Sequence, residues 1–155
     1  MRVGGAGSWP GFVAKMPVER CRFLDTGRWV RDGVIVPGMT TRGVWTWTDR
    51  FTGEVRSSVD YEAHATLDGI GWVRLAYRVG TEGPAHDYRV ALEASRPHFG
   101  GMRWWFRCPL PVNGQPCGRR VKKLHLARGV FGCRQCGDLT YRSCLGPSRR
   151  RDGRA

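Results

Sequence analysis

Between Val55 and Leu67 apolar and polar side chains alternate. The odd positions Val55, Val59, Tyr61, Ala63, Ala65 and Leu67 are apolar, with Ser57 the one exception, and the even positions Arg56, Ser58, Asp60, Glu62, His64 and Thr66 are polar. A period of two predicts a strand with one face buried. Asp68-Gly69 then turns the chain into Val73, Leu75, Tyr77 and Val79, with Arg74 and Arg78 on the opposite side, which predicts a hairpin. After residues 80–84 a third run sets Tyr88, Val90, Leu92 and Ala94 against Asp87, Arg89, Ala91 and Glu93. Val44-Trp-Thr-Trp-Thr48 precedes these runs and Met102-Arg-Trp-Trp-Phe-Arg107 follows them. Five consecutive strands with short turns predict an antiparallel β-meander, curled into a small sheet or open barrel.

The period differs before residue 43. Residues 1–16 are Gly-rich and aperiodic and are expected to form a flexible arm. The run GGAGSWPG lacks the GK[ST] ending of a phosphate loop. Pro17 suits a first helical position, and Val18, Cys21 and Leu24 recur at i, i+3, i+6, predicting a helical segment with Cys21 as a small core residue. Asp25 is placed to cap a second short helix that carries Trp29 and Val30 and ends at Gly33. A helix-turn-helix DNA reader is disfavoured, because Arg28 and Arg31 are its only basic side chains outside the first helix.

Cysteine spacing changes the picture after residue 107. Cys108 and Cys117 bracket a turn-rich insert containing Pro109, Pro111, Asn113, Gly114 and Pro116, and Cys133-Arg-Gln-Cys136 is followed by Gly137. Two cysteine pairs separated by a hairpin are what one tetrahedral, structural Zn2+ needs, provided the long insert folds back to bring Cys108 beside Cys117. Cys144, and more weakly His125, stand as substitute ligands. A redox CxxC belongs between a strand and a helix, and no such alternation is present. A disulfide framework requires export, whereas Met1-Arg-Val-Gly-Gly-Ala-Gly-Ser8 has no apolar core of a signal peptide and no long apolar run occurs elsewhere. A cytoplasmic protein with no membrane association is expected. Around the cysteines, Val121, Leu124 and Leu126, then Val130-Phe131, then Leu139–Ser143 predict a three-stranded zinc ribbon over residues 108–144, too small to hold without its metal.

Charge is unevenly spread. The net charge is +13, yet residues 1–102 carry 13 basic and 11 acidic side chains, while residues 103–155 carry 13 and 2. Only three basic residues are lysine, and abundant Arg, Gly and Trp with scarce Lys also follows from a GC-rich genome. Codon bias, however, does not remove acids from one end of a chain. An anionic partner, DNA or RNA, is therefore expected at a basic C-terminal platform formed by Arg119, Arg120, Lys122, Lys123, Arg134 and Arg142, with Trp104 or Trp105, preferably Trp105, free to stack on an unpaired base. Six phosphate contacts on duplex DNA would give a log–log salt slope of about −5. Residues 145–155, with Arg149-Arg-Arg151, are expected to be a disordered basic tail that adds phosphate contacts.

Enzymatic chemistry finds little support. Asp60, Glu62 and His64 share one strand face, but a solvated face accounts for them, and no Ser-His-Asp grouping, nucleophile elbow or small-molecule site is evident. Residues 100–109, Cys117–Leu124 and Phe131–Ser143, together with Leu24–Gly33 and Trp45-Thr-Trp47, resemble a group of uncharacterised bacterial proteins with a C-terminal four-cysteine zinc ribbon. The resemblance covers most of the chain and implies metal ligation by Cys108, Cys117, Cys133 and Cys136, but no activity. The C-terminal half is also similar in shape and spacing to zinc ribbons of transcription and replication proteins, which transfers no specificity. The expected architecture is mainly β: a helical segment plus five-stranded sheet over residues 17–107, then the ribbon. The expected function is non-enzymatic nucleic-acid binding. A protein-binding adaptor or inhibitor, of the kind a mobile element carries, is the alternative; it would show an apolar patch and scattered arginines rather than one basic face.

Overall fold

A computed structural model describes residues 21–141 of the chain. The expected arm, residues 17–20 of the first helix, Arg142, Cys144 and the basic tail lie outside the described residues. Among the described residues the chain is mainly β, with antiparallel sheets and one short helix.

All five alternating runs fall in strands. β2 (Met39–Thr48), β3 (Val55–Ala65), β4 (Ile70–Arg78), β5 (Ala85–Ser95) and β6 (Arg103–Arg107) pair antiparallel in chain order. The sheet stays open and takes β9 (Arg120–Val121) as a sixth strand beside β6. Its inner face buries Val59, Ala63, Val73, Leu75 and Val90, which the period of two assigned to the core, together with Phe106, whereas Val55 and Leu67 at the ends of the same run are exposed. Its outer face is laced with ion pairs: Arg42 to Glu62 at 2.7 Å, Arg74 to Asp87 at 2.5 Å, and Glu93 to Arg107 at 2.7 Å and Arg120 at 3.2 Å. These pairs are solvated, and each contributes little stability. His64 on the same face holds Thr40 Oγ1 through Nδ1 at 2.8 Å and stacks on Trp72.

A second layer covers the inner face, and here the structure corrects the sequence reading. β1 (Phe23–Asp25), β10 (Lys123–Ala127) and β11 (Val130–Gly132) form a three-stranded antiparallel sheet in the order β1-β10-β11. Leu24 is thus on a strand opposite Leu124, and not on a helix. Two backbone bonds, Thr26 N–H to Lys122 O at 3.0 Å and Leu126 N–H to Arg22 O at 2.8 Å, satisfy this segment on the open edge of β10. An i, i+3, i+6 stripe of three residues cannot compete with that edge. The place beside β10 opposite β11 is taken by β1, and of the third ribbon strand expected at residues 139–143 only residues 139–141 lie among the described residues. Leu139 is buried, but Thr140 makes only an isolated bridge. The division expected after residue 107 is crossed as well, since β9 belongs to the meander's sheet while β10 pairs with the N-terminal strand.

α1 (Thr26–Arg31) follows β1 directly, capped as expected: Asp25 accepts from Gly27 N–H at 2.8 Å. Trp29 is fully buried against Trp45, Tyr61 and Phe106, at centroid distances of 5.8, 5.6 and 5.7 Å. Leu24, Leu124 and Phe131 of the second layer lie in the same core cluster as the meander's residues. Between the layers the Tyr77 hydroxyl meets that of Tyr88 at 2.7 Å and donates to Gly129 O, while Phe131 N–H donates to the Tyr88 oxygen. Burial pushes both phenols up, so they stay neutral.

His125 on β10 is buried, and its Nδ1 has no hydrogen-bond partner among the described residues. Burial, then Lys123 and Arg134, hold its pKa below the usual histidine range. The unfolded chain therefore takes the proton first, so the neutral imidazole's contribution is present above about pH 6.5 and is lost as pH falls below it. Urea midpoints measured at pH 7.5 and 5.5 should fall at the lower pH, and fall less in His125→Gln. An equal fall in both proteins would show that His125 is not the group responsible.

Candidate metal centre

The eight-residue insert folds back as a hairpin of its own. β7 (Pro111–Val112) pairs with β8 (Gln115–Pro116) across Asn113-Gly114, whose φ values of 54° and 81° suit the tight turn that an Asn-Gly pair favours. Cys117 N–H donates to Leu110 O at 2.7 Å and Gly118 N–H to Cys108 O at 3.0 Å, so the ends of the insert close side by side. Cys108 itself leaves β6 with its N–H bonded to Arg119 O at 3.0 Å. The geometry supplies what the spacing alone left open.

The second pair follows β11. Cys133 N–H donates to Cys108 Sγ at 3.2 Å, and Cys136 N–H to Cys133 Sγ at 3.4 Å. Gly137 N–H closes the turn on Cys133 O at 3.1 Å. The four Sγ atoms of Cys108, Cys117, Cys133 and Cys136 all lie within 4.8 Å of one another, with Cys108 and Cys133 buried and the other two half-buried. This cluster can hold a metal ion. Gly132 leaves room for it: a Cβ there would lie 2.9 Å from Leu110 Cγ and 3.6 Å from Cys108 Sγ.

Burial pushes the Cys108 and Cys136 thiols up. Burial also acts on Cys117, but the Arg119 N–H and the neighbouring thiols outweigh it and hold that thiol below its ordinary value. Cys21 lies apart from the four, buried beside Leu139 and Ala127 with its thiol raised by burial, as a core residue. His125 is not among the converging ligands, and its nearest aromatic neighbour is Phe23 at 6.1 Å.

The expected basic platform is divided by the fold. Arg120 is on the outer face of the meander, ion-paired with Glu93 and 5.0 Å over the Trp105 ring. Trp105 is half-buried and donates from Nε1 to Ser95 Oγ at 2.9 Å, while its neighbour Trp104 is core. Arg119 donates to Gln135 Oε1 beside the thiols. Arg134 donates to Leu139 O at 3.2 Å and covers Tyr141. Lys122 lines a hollow against α1, and Lys123 sits 4.9 Å over Phe23. A contiguous basic stretch thus points in several directions, because β9 ends in a bend before β10 begins.

Sequence reasoning missed a second group. Arg22, Arg28, Arg31, Arg56 and Arg78, spread over four segments, line two hollows at the mouth between the sheets. The one local signal was Trp45-Thr-Trp47, whose alternation turns both indoles toward that mouth. Comparison with protein-family models, curated proteins and solved structures finds no match. Among the described residues no helix is long and apolar enough to cross a membrane.

Proposed function

We propose that this chain is a zinc-stabilised, non-enzymatic nucleic-acid-binding protein of the cytoplasm, its four cysteines forming a zinc ribbon in which the metal is purely structural. The ligand set supports zinc. Four thiolates with Zn–S bonds of about 2.3 Å form a tetrahedron whose sulfurs are about 3.8 Å apart. The Cys117–Cys133 separation of 4.0 Å is close to that edge and far from the roughly 2.05 Å of a disulfide. With all four positions filled by protein, no open site remains for a water or substrate, so the metal's role is to hold two hairpins together.

A contrast in charge pairing carries the nucleic-acid reading. On the outer sheet face Glu62, Asp87 and Glu93 consume their arginines. Around the thiols and the β9–β10 bend, Arg119, Lys122, Lys123 and Arg134 enter no salt bridge among the described residues. Such cations suit phosphates, whose neutralisation releases counterions and makes affinity depend on salt.

Metal content and fluorescence anisotropy on one purified sample test this. One zinc per chain is expected, with oligonucleotide binding whose log–log salt slope is about −3 for four phosphate contacts. A slope near zero with zinc retained would sink the nucleic-acid reading and favour the protein-binding adaptor.

A further inference from the structure

Two hollows open side by side where β2 meets the second layer, and they share Trp47 as a wall. The first, about 320 Å³, is lined by Phe23 and Trp45 with Arg28, Arg31 and Lys123 at its rim. The second, about 280 Å³, has aromatic walls, Trp47 stacked on Phe131 at 6.0 Å and Tyr77, with Arg22, Arg56 and Arg78 at its rim. Asp25 is the one carboxylate in either lining, and it is engaged as the helix cap. Arg28 is held by Asp32 and Arg56 by Asp49, but Arg22, Arg31 and Arg78 enter no salt bridge among the described residues. Ser57, which lines the second hollow, has a buried hydroxyl with no hydrogen-bond partner among the described residues.

We infer that this double hollow is the seat of a single-stranded nucleic acid, one unpaired base lying against the half-buried Trp47 and Tyr77, with Phe131 packed behind Trp47, while the flanking phosphates meet Arg22, Arg31 and Arg78. The inference rests on the nucleic-acid reading above and moves its centre from the zinc end to the mouth between the sheets. Its parts match single-strand recognition: aromatic faces for stacking, cations for the backbone, and a polar group that a base edge can satisfy. A duplex keeps its base faces stacked and offers nothing to a concave aromatic wall. An acidic peptide would answer the arginines but leave the aromatic walls and the Ser57 hydroxyl unanswered.

The test uses the full, zinc-loaded chain and anisotropy of labelled oligothymidylate and oligouridylate of about 12 nucleotides, beside a duplex of the same length, at two salt concentrations. Both single strands, or one of them, should bind more tightly than the duplex. The triple variant Arg22→Ala, Arg31→Ala, Arg78→Ala removes exposed side chains and should keep its circular dichroism. It should lose roughly tenfold or more in affinity and about 2 in salt slope. Ser57→Ala should lose roughly fivefold in affinity with its melting temperature unchanged or raised. Arg74→Ala on the outer sheet face should bind as the parent does. If the triple variant binds like the parent while Arg119→Ala with Lys122→Ala does not, the site is at the zinc end and this inference falls while the nucleic-acid reading stands. A preference for the duplex, or displacement of oligothymidylate by polyglutamate at equal charge, would also overturn it. No binding of any oligonucleotide by the parent would overturn both.

Discussion

A Cys133→Ser chain should lose its metal and, with it, protection of the hairpins that surround the thiols. Cys133 is buried at the centre of the cluster: its N–H donates to Cys108 Sγ, its Sγ accepts from Cys136 N–H at 3.4 Å, and Cys117 Sγ lies 4.0 Å away. The β7–β8 hairpin has two residues in each strand, and Pro111, Val112, Gln115 and Pro116 are all exposed. No core holds that hairpin, and an isolated two-stranded ribbon of this size does not stand in water. On the proposed zinc reading the metal supplies the order, and structural zinc contributes about 10–16 kcal/mol in comparable small sites. Hydrogen exchange read by mass spectrometry should therefore show residues 108–118 and 133–139 losing protection in the variant or after chelation, while β3, β4 and β5 keep theirs. Unchanged exchange at residues 108–118 after chelation would show that the hairpin stands without metal. Acid should mimic the chelator, because burial raises the Cys108 and Cys136 thiols and every proton they hold competes with the metal.

What the sequence revealed of this fold depended on how much of each feature lay in one stretch. The meander was legible because each long strand repeats the alternation often enough to define a face; β3 alone spans Val55–Ala65. β1 and β9 were not, since three and two residues carry no period and their pairing depends on partners about a hundred and about fourteen positions away in the chain, on the order of the spans that only tertiary contacts specify. The thiols were legible from residue type and spacing, whereas the closure of the first pair needed the Asn113-Gly114 hairpin to be seen. The basic residues misled in an instructive way. Arg119, Arg120, Lys122 and Lys123 are neighbours in sequence, yet Arg120 answers Glu93 on one face and Lys123 lies over Phe23 in the other layer. Arg22, Arg31 and Arg78 are far apart in sequence, and only the docking of the two sheets brings them to one mouth.

Trp29 joins the helix that follows β1 to the meander, and Trp29→Ala should show how much that contact holds. Trp29 is fully buried and touches rings from β2, β3 and β6, so its indole joins strands that are not all neighbours in the sheet. Deleting it leaves a cavity at the junction of helix and sheet and should cost ~3–5 kcal/mol, a large share of the roughly 5–15 kcal/mol that holds a domain of this size. Trp29→Phe should cost much less, because it keeps most of the ring contacts and removes an Nε1–H that has no hydrogen-bond partner among the described residues. Urea midpoints of the two variants measure the difference directly. A helix of six residues has no stability of its own, so in Trp29→Ala α1 loosens and its neighbour β1, the outer strand of the second layer, is freed from β10. Metal should then be bound more weakly in Trp29→Ala than in Trp29→Phe, although Trp29 is not a ligand. A midpoint for Trp29→Ala close to the parent's would mean that the helix merely rests on the sheet. Equal metal affinity in the two variants, with the midpoint lowered, would mean that the N-terminal segment stabilises the meander without supporting the thiol cluster.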